Sequence, residues 1–98
     1  MKIIKEQNGS ELNIALEGRL DTTTSPELEK ELKDGLDGID ELTLDFEKLD
    51  YISSAGLRVL LAAHKTMMKK GGMKVIHVNE IVNEVFEVTG FSDILTIE

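Results

Sequence analysis

The apolar residues of this chain switch back and forth between two spacings, and that switching restricts its fold more than any other feature. Leu12, Ile14 and Leu16 recur every second residue, as on one face of a strand. Leu28, Leu32, Leu36 and Ile39 recur near a helical period, with Gly35 and Gly38 loosening the end. Leu42, Leu44 and Phe46 return to alternation, and Leu49-Asp50-Tyr51-Ile52 carries the chain off that strand. Leu57, Leu60, Leu61, His64 and Met68 then form one helical stripe over residues 53–70, which Gly71-Gly72 stops. Residues 74–78 read as a short buried strand. Ile81, Val82, Val85 and Phe86 form the inward face of a third helix ending at residue 89, with Gly90 as its C-cap. Ile94, Leu95 and Ile97 close the chain in extended form. Strands alternating with helices imply parallel neighbours joined by right-handed crossovers.

Ahead of that series, Ile3 and Ile4 begin another strand, and Asn8-Gly9 follows. Asn-Gly between extended runs is the strongest short hairpin signal, because both central residues of the tight turn need positive φ. The first two strands are therefore expected to be antiparallel. At Thr22 to Pro26, Thr24 or Ser25 is expected to cap the first helix, with Pro26 at its first position. The fold class this predicts is α/β. It is a small mixed β-sheet, an N-terminal antiparallel hairpin followed by parallel strands, packed with α-helices in a single domain over residues 1–98.

Composition narrows the function. A hydrophobic fraction of 41% and a charged fraction of 31% exclude a disordered or low-complexity chain. No apolar run approaches the roughly 20 residues of a membrane span. Met1-Lys2-Ile3-Ile4-Lys5-Glu6 lacks the apolar core of a secretory signal. There is no cysteine, which excludes a disulfide framework, a thiolate metal site and a cysteine nucleophile. Together these point to the cytoplasm. The formal net charge of -8 disfavours direct binding of nucleic acid. The charges are also segregated. Ten acids stand between Glu27 and Asp50, while Tyr51 to Asn79 holds none and carries Arg58, Lys65, Lys69, Lys70 and Lys74. Solvated outer faces of an acidic and a basic helix account for this; so does a neutral-to-basic segment that faces a partner or accepts added negative charge.

Ligand and partner sites of open α/β sheets gather beyond the carboxyl ends of the parallel strands. Three segments are expected there: Gly18 to Asp21, Leu49 to Ser54, and Asn79. Asp21 and Ser54 would then share one rim. Ser53-Ser54-Ala55-Gly56 opens a helix, so a serine oxygen can cap it, a contribution of about 1 kcal/mol. The same position suits a phosphate, because free N–H groups and the positive end of the helix dipole point at it. Ala55 and Gly56 are small and leave room for a partner. A serine hydrolase is disfavoured. There is no Gly-x-Ser-x-Gly elbow, His64 lies roughly 15 Å along the same helix from Ser54, and His77 is expected inside a strand with no oriented acid beside it. Two distant histidines and no calcium-loop spacing argue against a metal site. No phosphate loop of the Gly-x-x-x-x-Gly-Lys type occurs. The sequence thus points to no cofactor and to a protein that is not an enzyme.

The segment Tyr51-Ile52-Ser53-Ser54-Ala55-Gly56-Leu57-Arg58-Val59-Leu60-Leu61 resembles the STAS domain, specifically the bacterial anti-sigma-factor antagonists. Gly18-Arg19-Leu20-Asp21, Gly71-Gly72 before a strand, and Val88-Thr89-Gly90-Phe91 are similar to further motifs of that family, in the same order. The resemblance implies a partner switch. The unphosphorylated antagonist binds an anti-sigma factor that is also a serine kinase and so frees the sigma factor. Phosphorylation then breaks the complex, and a phosphoserine phosphatase resets it. Carried over, the phosphoacceptor is Ser54, with Ser53 the second choice, because many relatives have Asp where this chain has Ser53. The implied partner surface is Asp21, Tyr51, Ile52, Ser53, Ser54, Ala55, Gly56 and Arg58. The competing expectation is a STAS adaptor that never meets a kinase, a subunit of a larger signalling or transport assembly.

Overall fold

A computed structural model describes residues 1–98. The elements are β1 (Lys2–Asn8), β2 (Glu11–Leu20), α1 (Ser25–Gly35), β3 (Glu41–Ile52), α2 (Ser54–Met67), β4 (Met73–Ile76), α3 (Glu80–Thr89), a 3-10 turn (Phe91–Asp93) and β5 (Thr96–Ile97). The strands lie in one sheet in chain order, β1-β2-β3-β4-β5. Only β1 and β2 are antiparallel; the remaining neighbours are parallel, as the alternation of periods requires.

Right-handed crossovers that always step toward the next strand in one direction put their helices on the same face. Leu12, Ile14 and Leu16 of β2, Leu42, Leu44 and Phe46 of β3, and Met73 and Val75 of β4 point there and are buried with Leu28, Leu32, Leu60, Met67, Val82 and Phe86. Phe46 and Phe86 meet with ring centroids 6.4 Å apart. The opposite face, with Asn13, Thr43, Asp45 and Lys74, is not covered.

Several expectations shift. The hairpin turn holds Gly9 and Ser10, since Asn8 pairs with Glu11. Gly9 alone has positive φ, +65°, which suits a turn with its left-handed residue in the first central position. β3 does not end at Phe46 but runs on to Ile52. Its pairing with β2 jumps from Ala15↔Asp45 to Glu17↔Lys48, and from Gly18↔Leu49 to Arg19↔Tyr51, so β3 carries an extra residue at each step. Each bulge resets the pleat, and Phe46, Leu49 and Ile52 face the core at a spacing that is not that of a regular strand. In α2 the buried face is Gly56, Leu57, Val59, Leu60, Ala63 and Met67, whereas Met68 is 68% exposed. Leu57 and Leu60 of the expected stripe are buried, Leu61 and His64 are half-buried, and the face is rotated toward Gly56, Val59, Ala63 and Met67. α2 ends at Met67 rather than near residue 70, and the Lys70 ammonium donates to the Leu36 carbonyl at 2.6 Å. Ile81 of α3 is exposed, not inward. β4 stops at Ile76, leaving His77 outside it.

Candidate functional site

The parallel pairing of β2 with β3 brings Leu20 beside Ile52, so the chain leaves both strands at one rim. The Ser53 N–H donates to the Leu20 carbonyl at 2.9 Å, tying the start of α2 to the end of β2. Asp21 and Ser53-Ser54, distant in sequence, are brought to the same edge. Asn79 joins them: its side-chain amide donates to the Leu49 carbonyl at 2.7 Å, while its oxygen accepts from Val82 N and caps α3.

The two serines are not equivalent. Ser53 is the N-cap, half-buried, with extended backbone and an Oγ that accepts from Gly56 N at 3.4 Å. Ser54 is the first helical residue and is exposed, with no hydrogen bond to its hydroxyl. The cap therefore belongs to Ser53, not Ser54. No acid stands in the first turn of α2.

Gly56 lets the helix start sit this low. A Cβ there would lie 2.8 Å from Leu20 Cγ and 2.9 Å from Ile52 Cγ1, and both side chains are buried. Gly56→Ala is expected to lower stability, because overpacking costs about 1–3 kcal/mol and the better helix propensity returns at most about 1 kcal/mol. Urea denaturation measures it. Of the residues expected at a partner surface, Ile52 and Gly56 are buried, so they do not present side chains at the rim but lie beneath it. Tyr51, Ser54 and Arg58 are exposed; Asp21, Ser53 and Ala55 are half-buried.

Asp21 shapes the turn into α1. Its Oδ1 accepts from the Thr23 N–H at 3.0 Å, the Thr23 hydroxyl at 2.8 Å and the Thr24 N–H at 3.1 Å. Thr24 holds the cap position without capping; its hydroxyl donates to the Arg19 carbonyl. The hydrogen bond from the Thr23 hydroxyl, then that from Thr24 N–H, holds the Asp21 carboxyl below its ordinary pKa. A lowered folded pKa stabilises above the unfolded value of about 4, and that stability is lost as pH falls through the folded value. Asp21→Ala is therefore expected to melt below the wild type at neutral pH, with the gap closing in acid. Thermal melts across pH test this.

Arg19 is a rim residue to which the sequence assigned no role, although its motif was noted. The register sets it beside Tyr51, its guanidinium lies 4.5 Å from the ring centroid, and its Nε is 3.8 Å from Asp21 Oδ2. His77 was expected without an acid; Asp45 Oδ1 stands 2.9 Å from its Nδ1. That hydrogen bond raises the pKa of His77. Partial burial pushes Asp45 upward, but the bonds from His77 and Glu47 N–H outweigh it and leave the carboxyl lowered. No helix is long and apolar enough to cross a membrane.

These features define a small α/β domain whose strand-end rim gathers an exposed serine, a carboxylate, a guanidinium and a tyrosine around a helix N-terminus. The chain belongs to the STAS domain family, whose sequence model matches residues 2–98. It is 35% identical over 99 residues to BtrV of Bordetella bronchiseptica, named as a candidate anti-sigma factor antagonist, covering 99% of this chain and 85% of that protein. It is 27% identical to the anti-sigma-B factor antagonist of Bacillus subtilis, covering 94% of this chain and 85% of the relative. The fold matches the crystal structure of an anti-sigma factor antagonist from Mycobacterium paratuberculosis with a TM-score of 0.88 at 21% identity, over 98% of this chain and 83% of that one. It also matches the Bacillus cell fate determinant SpoIIAA in its phosphorylated form, with a TM-score of 0.77 at 16% identity, over 99% and 91% of the two chains.

Proposed function

We propose that this chain is an anti-sigma factor antagonist, a binding protein and not an enzyme. Its unphosphorylated form binds an anti-sigma factor that is also a serine kinase and so releases a sigma factor in the cytoplasm. Phosphorylation of Ser54 ends that binding, and a phosphoserine phosphatase restores it. Relatives named as antagonists support the class of partner. The observation that carries the switch is the exposed, unbonded Ser54 hydroxyl at the first position of α2, beside a Ser53 hydroxyl already engaged in the cap. A phosphate at Ser54 adds about -1.5 to -2 charge where the helix end favours an anion. The fold tolerates it, whereas a partner pressed against it must desolvate it.

The test is incubation with the anti-sigma factor kinase and ATP, followed by mass spectrometry of the peptides and titration of the product against the same kinase. Phosphate on Ser54 and lost binding are expected. Phosphate on Ser53 would move the acceptor by one residue. Absence of phosphate with binding retained would favour the adaptor role.

A further inference from the structure

We propose that Asp45, Glu47 and His77 form a binding site for a divalent first-row transition metal ion, zinc foremost, on the uncovered face of the sheet. Their donor atoms lie within 4.8 Å of one another. Asp45 Oδ1 and His77 Nδ1 are 2.9 Å apart. Two atoms each ~2.0–2.1 Å from one zinc ion, at angles of about 90–110°, stand ~2.9–3.4 Å apart, so Asp45 and His77 already have the spacing of two ligands, and a rotation of the exposed Glu47 side chain would bring in the third. Hard cations prefer cages of oxygen, whereas an imidazole nitrogen with two carboxylates suits zinc and its neighbours. Three protein ligands leave a coordination position to water. The shallow cavity alongside, lined by Ala15, Glu17 and Lys48, opens onto solvent there. Lys48 makes no ion pair with either carboxylate.

Two features of the chain bring the donors together. In β3, Asp45 and Glu47 flank the buried Phe46, and the bulged stretch between Asp45 and Lys48 leaves their carboxylates close together. Asp45 pairs with Ile76, which faces the open side, so regular alternation would send the next residue, His77, toward the helices. Instead His77 has φ +58°, the only positive φ among the non-glycine residues. That left-handed turn carries the imidazole to the open side and onto Asp45. The two histidines are far apart in the sequence, but this cluster needs only one, His77.

Calorimetric titration of the chelator-treated full chain with zinc chloride near neutral pH tests the proposal. One equivalent is expected to bind with a dissociation constant on the order of micromolar, and amide NMR shifts should centre on residues 45–47 and 76–78. His77→Asn keeps a residue that accepts left-handed backbone and removes the imidazole. Glu47→Gln removes a carboxylate from an exposed position. Each should weaken binding about tenfold or more, while Glu98→Gln, at the far edge of the sheet, should bind as the wild type does. The proposal is overturned if zinc fails to saturate, if binding spreads over other acids in the NMR spectrum, or if Glu47→Gln binds like the wild type. Should His77→Asn not fold, Glu47→Gln alone decides.

Discussion

Ser54→Asp is expected to melt at or slightly above the wild-type temperature and to bind the anti-sigma factor about a hundredfold more weakly. The two effects have separate physical origins. Ser53 keeps the cap, since its Oγ accepts from Gly56 N, so replacing Ser54 removes no hydrogen bond within the chain. The new carboxylate stands at the first helical position of α2, where the first turn holds no other acid. There the helix dipole stabilises a negative charge by about 0.3–1 kcal/mol. At a partner interface the same charge loses its water. An unpaired charge buried between two proteins costs several kcal/mol, and about 2.7 kcal/mol already corresponds to a hundredfold in affinity. Aspartate is smaller and less charged than phosphoserine, so the modification itself should weaken binding further. Thermal melts and a titration of the purified anti-sigma factor measure both. Unchanged affinity would remove Ser54 from the switching interface and leave the adaptor reading in its place.

Gly71→Ala is expected to destabilise the fold by about 2–3 kcal/mol, a large share of the 5–15 kcal/mol typical of a domain. A Cβ at Gly71 would lie 2.4 Å from the Asp40 carbonyl oxygen. That oxygen cannot yield easily. It accepts from Gly71 N at 2.7 Å, while Asp40 N donates to the Ser10 carbonyl at 2.8 Å and Leu42 N to the Gly72 carbonyl at 3.1 Å. The crossing of backbones holds the starts of β3 and β4 together below α2, at the end of the sheet opposite Ser54. Gly35→Ala is the matched control. Nothing lies within 4 Å of a Cβ there, and its φ is not positive. It should be neutral or stabilising by up to about 1 kcal/mol through helix propensity. Chemical denaturation of the pair separates the steric argument from the mere loss of a glycine. Equal stabilities for Gly71→Ala and the wild type would mean that the two backbones can part without cost.

The order of strands and helices follows from periodicity, because a strand and a helix bury different residue spacings, and the direction of the strand pairs follows from the Asn8-Gly9 turn and from the helical crossovers. The same logic failed where the backbone departs from regular geometry. Leu49 and Ile52 belong to β3, but two bulges break the alternation that marks a strand, and nothing local signals a bulge. The buried face of α2 was only partly legible: Leu57 and Leu60 lie on it as expected, but Gly56 and Ala63 are too small to stand out in a pattern of large apolar residues, and Met68 falls outside it.

For the rim, the motifs around Asp21 and Ser54 were legible as local sequence, and their meeting followed from the order of strands. Which serine caps and which stays free is a matter of burial and hydrogen-bond direction, so two adjacent serines look alike until the helix is placed against Leu20 and Ile52. Asp21 read as an exposed acid; only the folded turn shows its carboxylate collecting donors from Thr23 and Thr24. His77 is the sharpest case. Its neighbours Ile76 and Val78 read as strand, and a strand would have turned its ring inward. The sequence by itself determined the class of fold, the family motifs and the rim, since these rest on local spacing and chain order. The tertiary structure alone decided the bulges, the free hydroxyl and the meeting of Asp45, Glu47 and His77. Those depend on one backbone segment's exact placement against another, which no local pattern encodes.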